Sequence, residues 1–515
     1  MAGNFTRRAV LGLTAASAAG AVTGVLAPTG SAAGSTTRRG GTARFEALSR
    51  HLDGDLILPS DPRYGQAREQ SLRQFDTTRP MAVAYCQSTR DVQTVLAFAQ
   101  DKAIHAVPRS GGHSFGGYST TTGIILDVSR LNHISTDGTL ATIGAGTQQV
   151  DALLALTPHG LALASGLCPT VGAGGFIQGG GIGHQTRKYG MACDRLVSAE
   201  VVLANRRVVQ TSATEHPDLY WALRGNGGGN YGVVTKYTLE PIRRSTLIGY
   251  RLVWTQGDAA ATIDTWQQWV TRAPDDLSSL LIAGTTSPPS STVVISVAGT
   301  WYGAEEDLNR HIDEFVAAVG VPPVNRIVAE RTVQQGMMQI YGCGNLTAAQ
   351  CHRSGTTPES MLPRWNYYRT RCRMFDRPLP LADVEDLLAV LTDPTHSATG
   401  QTRKVYFEAL GGAANQLART DTAYVHRTTQ ILAGLTAELP QPTPATDDAT
   451  TTENWLAQGF TVLNRHCLPE SYQNYMDPTL DDWKAAYYAE NYPRLARTKR
   501  TYDPHDIFHF PRSIR

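Results

Sequence analysis

The chain has almost no net charge. Its 515 residues hold 46 Lys and Arg against 45 Asp and Glu, a formal balance of +1. No basic stripe stands out, so charge gives no reason to expect a nucleic-acid partner. Metal-ligand spacing is lacking as well. The one close histidine pair, His505 and His509, has a spacing that suits a helix face. Asp506 follows the first histidine, where a zinc-protease motif carries glutamate. We read that pair as structural and expect no metal. There is no tandem repeat, and no glycine fingerprint from which a helix opens directly, as in a dinucleotide fold. Cysteine is sparse: Cys86, Cys168, Cys193, Cys343, Cys351, Cys372 and Cys467. Cys343 and Cys351 are close enough in sequence to pair in an oxidising compartment, or all the cysteines outside Cys168 are buried thiols.

Beyond the N-terminus, no long hydrophobic run is present. Arg7-Arg8 precedes an apolar run from Ala9 to about Ala27, and Ser31-Ala32-Ala33 follows as a small-residue cleavage site. Residues 1–33 read as a twin-arginine-type signal peptide, with a membrane anchor as the alternative. The expectation is a secreted protein with no membrane contact after cleavage, and a linker over 34–43. The remaining length exceeds what one core usually serves, so two domains are expected.

Glycine, by contrast, is abundant and clustered. The first cluster is Arg109-Ser110-Gly111-Gly112-His113-Ser114-Phe115-Gly116-Gly117. Glycine lets the backbone take positive φ and approach a ligand closely. Successive N–H groups in such a turn form an anion nest that suits a pyrophosphate. His113 has no second ligand at metal spacing. It is placed to bond to a cofactor whose phosphates the loop holds; the alternative is a surface loop with an incidental histidine. The second cluster begins at Gly166-Leu167-Cys168-Pro169-Thr170-Val171-Gly172. It continues through Gly174, Gly175, Gly179, Gly180, Gly181 and Gly183. So many glycines argue against a strand, and Cys168 stands at the entrance as His113 does in the first.

Together these residues resemble the berberine-bridge-enzyme-like branch of FAD-linked oxidases. Arg109–His113 looks like that family's first flavin loop, whose histidine is tied to the 8α-methyl of the isoalloxazine. Gly166–Gly172 looks like the second, whose cysteine is tied to C6. Arg224-Gly225-Asn226-Gly227-Gly228-Gly229-Asn230-Tyr231-Gly232-Val233-Val234-Thr235 is similar to a third glycine signature. Asn474-Tyr475-Met476-Asp477 and Tyr502-Asp503-Pro504 are similar to the C-terminal block.

The resemblance implies an α+β fold of two domains. A PCMH-type FAD-binding domain would span 44–245. A substrate domain, an antiparallel sheet with helices, would span 246–465, and residues 466–515 would return to the FAD domain. FAD would be bonded to both His113 and Cys168. The cofactor site would draw on Arg109, Ser110, Gly111, Gly112, Ser114, Gly117, Thr170, Val171, Gly174, Gly175, Gly179, Gly180, Gly181, Gly183, Gly232, Val233, Val234, Asn474 and Tyr475.

The implied activity is oxidation of a secondary alcohol or hemiacetal in a bulky natural product or sugar, with O2 as acceptor and H2O2 as product. Alternatives are oxidative cyclisation or C–N oxidation of a secondary metabolite, and a non-catalytic flavin-binding protein. In this family a small residue at the position of Val171 goes with oxygen access.

A base must take a proton as hydride leaves. Tyr475 is the first candidate, from the family's Asn-Tyr motif; its unperturbed pKa of ~10 means it needs help to deprotonate. Tyr406 and Glu408 stand two apart on an expected strand and so share a face. Leu410 replaces a tyrosine that some relatives carry before the Gly411-Gly412 pair, which makes Glu408 the more interesting group.

The local pattern predicts strands over Met81–Cys86, His105–Pro108, Gly123–Val128, Tyr231–Glu240, Thr292–Thr300, Tyr368–Phe375 and Lys404–Ala409. It predicts a helix after Ser88 and helices over Glu305–Val319 and Leu381–Leu391. A hairpin is expected around Asn205-Arg206, and Thr446–Thr452 reads as loop.

Overall fold

The computed structural model describes residues 44–255, 257–285 and 292–515. The expected signal peptide and linker, 1–33 and 34–43, lie outside the described residues. The described chain opens with a small sheet. Its strands are β1 (Asp55–Ile57), β2 (Ala82–Tyr85), β3 (Ala106–Arg109) and β4 (Ile124–Asp127), in the order β1-β2-β4-β3. The last three run parallel. Between β2 and β3 a helix, Thr89–Asp101, crosses over. It starts where Ser88 Oγ accepts the Asp91 N–H at 3.1 Å, a cap worth ~0.5–2 kcal/mol. It buries Val92, Val95, Leu96 and Ala99. β3 ends at Arg109, whose buried guanidinium pairs with Asp127 on β4. The first glycine loop therefore leaves from the end of an anchored strand.

The next strands are β5 (Ile134–Thr136), β6 (Ala141–Gly144), β7 (Leu161–Ala162), β8 (Leu196–Leu203), β9 (Val208–Ser212), β10 (Gly232–Leu239) and β11 (Ile242–Arg243). Five of them form a sheet in the order β5-β6-β10-β8-β9, while β7 and β11 pair with each other. The predicted hairpin is β8–β9. Its turn uses Arg206 at φ +69°, with the Arg207 N–H donating to Asn205 Oδ1 at 3.1 Å. The second glycine stretch contains no strand, as expected. It holds a short helix, Ala173–Gln178, that the glycines concealed.

The second domain is one antiparallel sheet of seven strands. They are β12 (Thr246–Trp254), β13 (Leu280–Thr285), β14 (Val293–Trp301), β15 (Asn325–Thr332), β16 (Tyr367–Phe375), β17 (Thr402–Ala409) and β18 (Ile431–Leu439). The order is β15-β12-β14-β13-β17-β18-β16. Helices Ala259–Arg272, Glu305–Val319, Leu381–Thr392 and Thr446–Leu463 pack on one another, and each meets strands of the sheet. On β17, Phe407 meets Trp266 of the first helix, ring centroids 6.2 Å apart, and Arg403 lies over Trp455 of the last. The alternate residues Lys404, Tyr406 and Glu408 face the other way, into a cavity.

Three local expectations need correction or completion. Thr446–Thr452 is not loop: it is the first part of the helix Thr446–Leu463, held by the burial of Trp455, Leu456, Phe460 and Leu463. Threonine and aspartate are weak helix formers, and tertiary packing overrides them. His505 and His509 share no helix face, because the last helix ends at Tyr502; His509 stacks on His105 at 4.2 Å. Cys343 and Cys351 form a disulfide, and the other five cysteines are free.

The last fifty residues pack against the third glycine stretch. Tyr488 donates to the Asn226 carbonyl at 2.7 Å, Lys499 to the Asn230 carbonyl at 2.8 Å, and the Ile514 N–H to Asn230 Oδ1 at 2.9 Å.

Candidate active site

A cavity of about 440 Å³ lies between the glycine loops and the inner face of the seven-stranded sheet. On the loop side, backbone meets backbone. A Cβ on Gly111 would stand 2.4 Å from the Gly172 nitrogen, so the first and second loops touch where only glycine fits. Ser110 Oγ donates to the Ala145 carbonyl at 2.7 Å and ties the turn to the loop after β6. Among the described residues, the N–H groups of Gly111, Gly112, His113 and Ser114 have no protein acceptor. Gly112 takes φ +69°. Four successive free donors at a cavity wall form a nest for an anion.

His113 and Cys168 both line this cavity. His113 Nε2 lies 2.8 Å from Thr170 Oγ1, and the Trp365 ring meets the imidazole edge-on at 5.8 Å. Burial, and then the Arg353 guanidinium, pushes the imidazole down to about 3. The ring is thus neutral at working pH. With Nε2–H donated to Thr170, Nδ1 carries the lone pair. Burial pushes the Cys168 thiol up to about 11.

On the sheet side, side chains do the lining. Tyr406 and Glu408 share a face of β17, and both line the cavity. The tip of the Tyr406 ring stands over Gly434 on β18, where a Cβ would lie 2.5 Å from it. Its hydroxyl reaches Thr370 Oγ1 at 3.3 Å. Burial alone pushes the Glu408 carboxyl up to about 7. Tyr475 comes from the C-terminal block and packs against Tyr406, Tyr472 and Phe115 at 6.3, 5.0 and 5.7 Å. Its phenol is pushed well above the usual range, first by burial and then by the Glu408 charge. Neither the Glu408 carboxyl nor the Tyr475 hydroxyl hydrogen-bonds to protein among the described residues. Both are available to whatever enters.

Most residues singled out in the sequence meet here: Arg109–Ser114, Cys168, Val171, Gly174, Gly175, Gly232–Val234 and Asn474 all line the cavity. Others stand behind it. Thr170 holds His113. Gly117 backs onto Phe75, Gly179 onto the Asn474 amide, Gly180 onto Tyr424, Gly181 onto Ala192 and Gly183 onto the Ser165 carbonyl.

Sequence reasoning missed Trp365, Tyr368, Thr370, Lys404 and Thr436, which line the sheet side. For Lys404 a signal existed, two residues before Tyr406 on the same face. Thr436 is its register partner on β18 and had none, because β18 was not foreseen. Lys404 Nζ pairs with Glu438 at 2.9 Å. No group of three or more potential metal ligands occurs among the described residues. The anion nest, the neutral nucleophile and the cleft between two domains fit an FAD laid with its phosphates at the first loop.

Comparison with known proteins agrees. Residues 80–212 match the family described as FAD binding domain, and residues 471–515 match the family described as berberine and berberine like. An uncharacterized FAD-linked oxidoreductase of Bacillus subtilis is 28% identical over 473 residues, covering 90% of this chain and 97% of its own. Glucooligosaccharide oxidase of Sarocladium strictum is 27% identical over 449 residues, covering 83% and 86%. In fold, the chain is similar to BBE-like 1 of Physcomitrella patens, with TM-score 0.81 and 24% identity over 92% of this chain and 99% of that one. The chain is an FAD-dependent oxidoreductase, and its matched segments, relatives and fold neighbours are those of the berberine-bridge-enzyme-like family.

Proposed function

We propose that this protein is an exported oxidase that converts a secondary alcohol or hemiacetal of a bulky natural product or sugar to the carbonyl, with FAD bonded to His113 and Cys168. The observation that carries the reading is the pair of unpartnered groups, the Glu408 carboxyl and the Tyr475 hydroxyl, in the cavity that also holds His113 and Cys168. When bound, FAD accepts a hydride from carbon and passes two electrons to O2, giving H2O2.

The chain's own residues handle the proton. Tyr475 Oη donates a hydrogen bond to the substrate oxygen and orients the C–O bond. Glu408, half ionised near neutral pH, takes the hydroxyl proton onto a carboxylate oxygen. Tyr475 is not the base itself, because burial and the Glu408 charge both oppose its phenolate. Trp365, Tyr368 and Phe115 exclude water and offer flat apolar surface. Thr370, Thr436 and the Lys404–Glu438 pair offer hydrogen bonds suited to a polyhydroxylated group. The relative that acts on glucooligosaccharides is consistent with that surface.

The test is a screen of purified protein for peroxide release against sugars and secondary metabolites, followed by anaerobic flavin reduction with each hit. Bleaching of the flavin by a secondary alcohol or hemiacetal, with the carbonyl as product, supports the reading. Reduction only by amines, or with ring closure in the product, replaces it with C–N oxidation or cyclisation.

A further inference from the structure

One segment outside the cavity reaches the supports of both attachment loops. Cys343 and Cys351 are bridged, with Cα atoms 5.8 Å apart, and the bridge lies between the helix Val333–Ile340 and β16. The two residues that follow it, His352 and Arg353, lead to different loops.

His352 Nδ1 donates to the Ala348 carbonyl at 2.9 Å, and Nε2 meets Asp151 Oδ1 at 3.0 Å. Asp151 stands in the first turn of the helix Gln149–Leu156. The Gln149 and Val150 N–H groups at that helix start donate to the carbonyls of Val171 and Pro169, at 3.1 and 3.0 Å. Through Asp151, His352 therefore braces the loop that carries Cys168.

Arg353 reaches the other loop. Its Nη1 donates to the Glu69 carbonyl at 3.3 Å, the same oxygen that receives Arg109 Nη1 at 3.4 Å. Arg109 lies four residues before His113. The neighbouring cations are compensated: Arg109 pairs with Asp127, and Arg364 with Glu69 and Asp76. Arg353 forms no ion pair among the described residues. Its charge acts on His113 and, after burial, holds the imidazole low.

We propose that His352 and Arg353 are positioning residues for covalent cofactor attachment, His352 for the Cys168 loop and Arg353 for the His113 loop, with the Cys343–Cys351 bridge holding both in register. The proposal rests on the reading that His113 and Cys168 are the attachment points. At His113 an N–C bond forms to the 8α carbon; one methyl C–H and the imidazole N–H are lost. At Cys168 an S–C bond forms to C6; the ring C–H and the thiol S–H are lost. In each case two electrons and two protons go to dioxygen, so one O2 becomes one H2O2 per bond. Bond formation needs nucleophile and carbon in near-contact, and a misplacement of ~1 Å costs ~10²-fold in such reactions.

The test reads each bond alone. Full-length protein is made under riboflavin limitation and given FAD in air. Flavin surviving acid precipitation is followed with time in the Cys168→Ala protein, which reports the His113 bond, and in the His113→Ala protein, which reports the Cys168 bond. Adding Arg353→Met should slow the His113 bond roughly 10–100-fold and leave the Cys168 bond unchanged, and Arg353→Lys should restore the rate. Adding His352→Gln should do the converse. Cys343→Ser with Cys351→Ser should slow both.

Unchanged rates with Arg353→Met and His352→Gln, or equal slowing of both bonds by each, overturn the proposal. Flavin retained before precipitation shows that a variant has folded and bound FAD. If Arg353→Met fails that check, Arg353→Lys decides: a wild-type rate supports the role of the cation, and slowing of both bonds overturns it. If the Cys168→Ala or the His113→Ala protein alone never holds acid-stable flavin, it is the attachment reading that fails.

Discussion

The two walls of the cavity are built from opposite materials. The loop wall is backbone: Gly111 against Gly172, with free N–H groups and no room for a Cβ. The sheet wall is side chain: Tyr406, Glu408, Lys404 and Thr370 stand up from a regular lattice. A backbone wall offers the same donors whatever the substrate, which suits a fixed cofactor. A side-chain wall is retuned one residue at a time, which suits a substrate that differs between relatives. The contrast separates a wall that can hold a cofactor from a wall that can select a substrate.

The sharpest way to break that contrast is to sever the cofactor from its wall. The protein with both His113→Ala and Cys168→Ala should release all its flavin on acid precipitation, while each single variant keeps it through the other bond. Flavin lost from the unmodified protein under the same treatment would leave the loop wall a non-covalent cradle.

The next largest effect belongs to the sheet wall. Glu408→Gln keeps the shape and removes the base, so anaerobic flavin reduction should fall by ~10²–10⁴-fold with flavin content unchanged. The pH profile gives the sign. Glu408 is raised to about 7, so its active carboxylate form grows as pH rises through that value. Reduction should climb with pH along a limb centred there, and the limb should vanish in Glu408→Gln. Tyr475→Phe should lower the rate but keep the limb. A limb that survives Glu408→Gln would return the base to Tyr475.

The two walls also differ in how much of them can be read from sequence. Where backbone must touch backbone no residue but glycine serves, so the loops announce themselves by composition. The sheet wall announces only its alternation, and alternation is readable only where the strand itself is recognised. On β17 it was, and Tyr406 and Glu408 followed. β12, β13, β15 and β18 were not foreseen, and with β18 went Thr436 and the glycine that accommodates Tyr406. The helix Thr446–Leu463 was hidden by its Thr-rich start, since its stability comes from Trp455 and Phe460 against the sheet and not from propensity. Trp365 lies outside any strand and carried no pattern at all.

β17 allows the comparison to be drawn within one strand. Phe407 and Glu408 are neighbours that face opposite ways, one into the helix layer against Trp266 and one into the cavity. Phe407→Ala should cost ~3–5 kcal/mol of stability, read by denaturant unfolding, while flavin reduction per folded molecule stays near wild type. Loss of reduction rate in the folded fraction would mean that the sheet does not insulate its two faces.

The smallest expected effect returns to the loop wall and asks whether it is only a cradle. Val171 lines the cavity from this wall. Its backbone is fixed on both sides: its N–H donates to the Cys168 carbonyl at 3.4 Å, and its carbonyl receives the Gln149 N–H at 3.1 Å. Val171→Leu therefore adds one methylene to the cavity without releasing the loop. If the space beside Val171 is the path by which O2 meets the reduced cofactor, reoxidation in air should slow severalfold. Anaerobic reduction, which depends on the sheet wall, should hold. Stopped-flow measurement of the two half-reactions separates them. Equal slowing of both would mean that the added methylene disturbs packing across the whole cavity, and that the loop wall has no separate part in admitting oxygen.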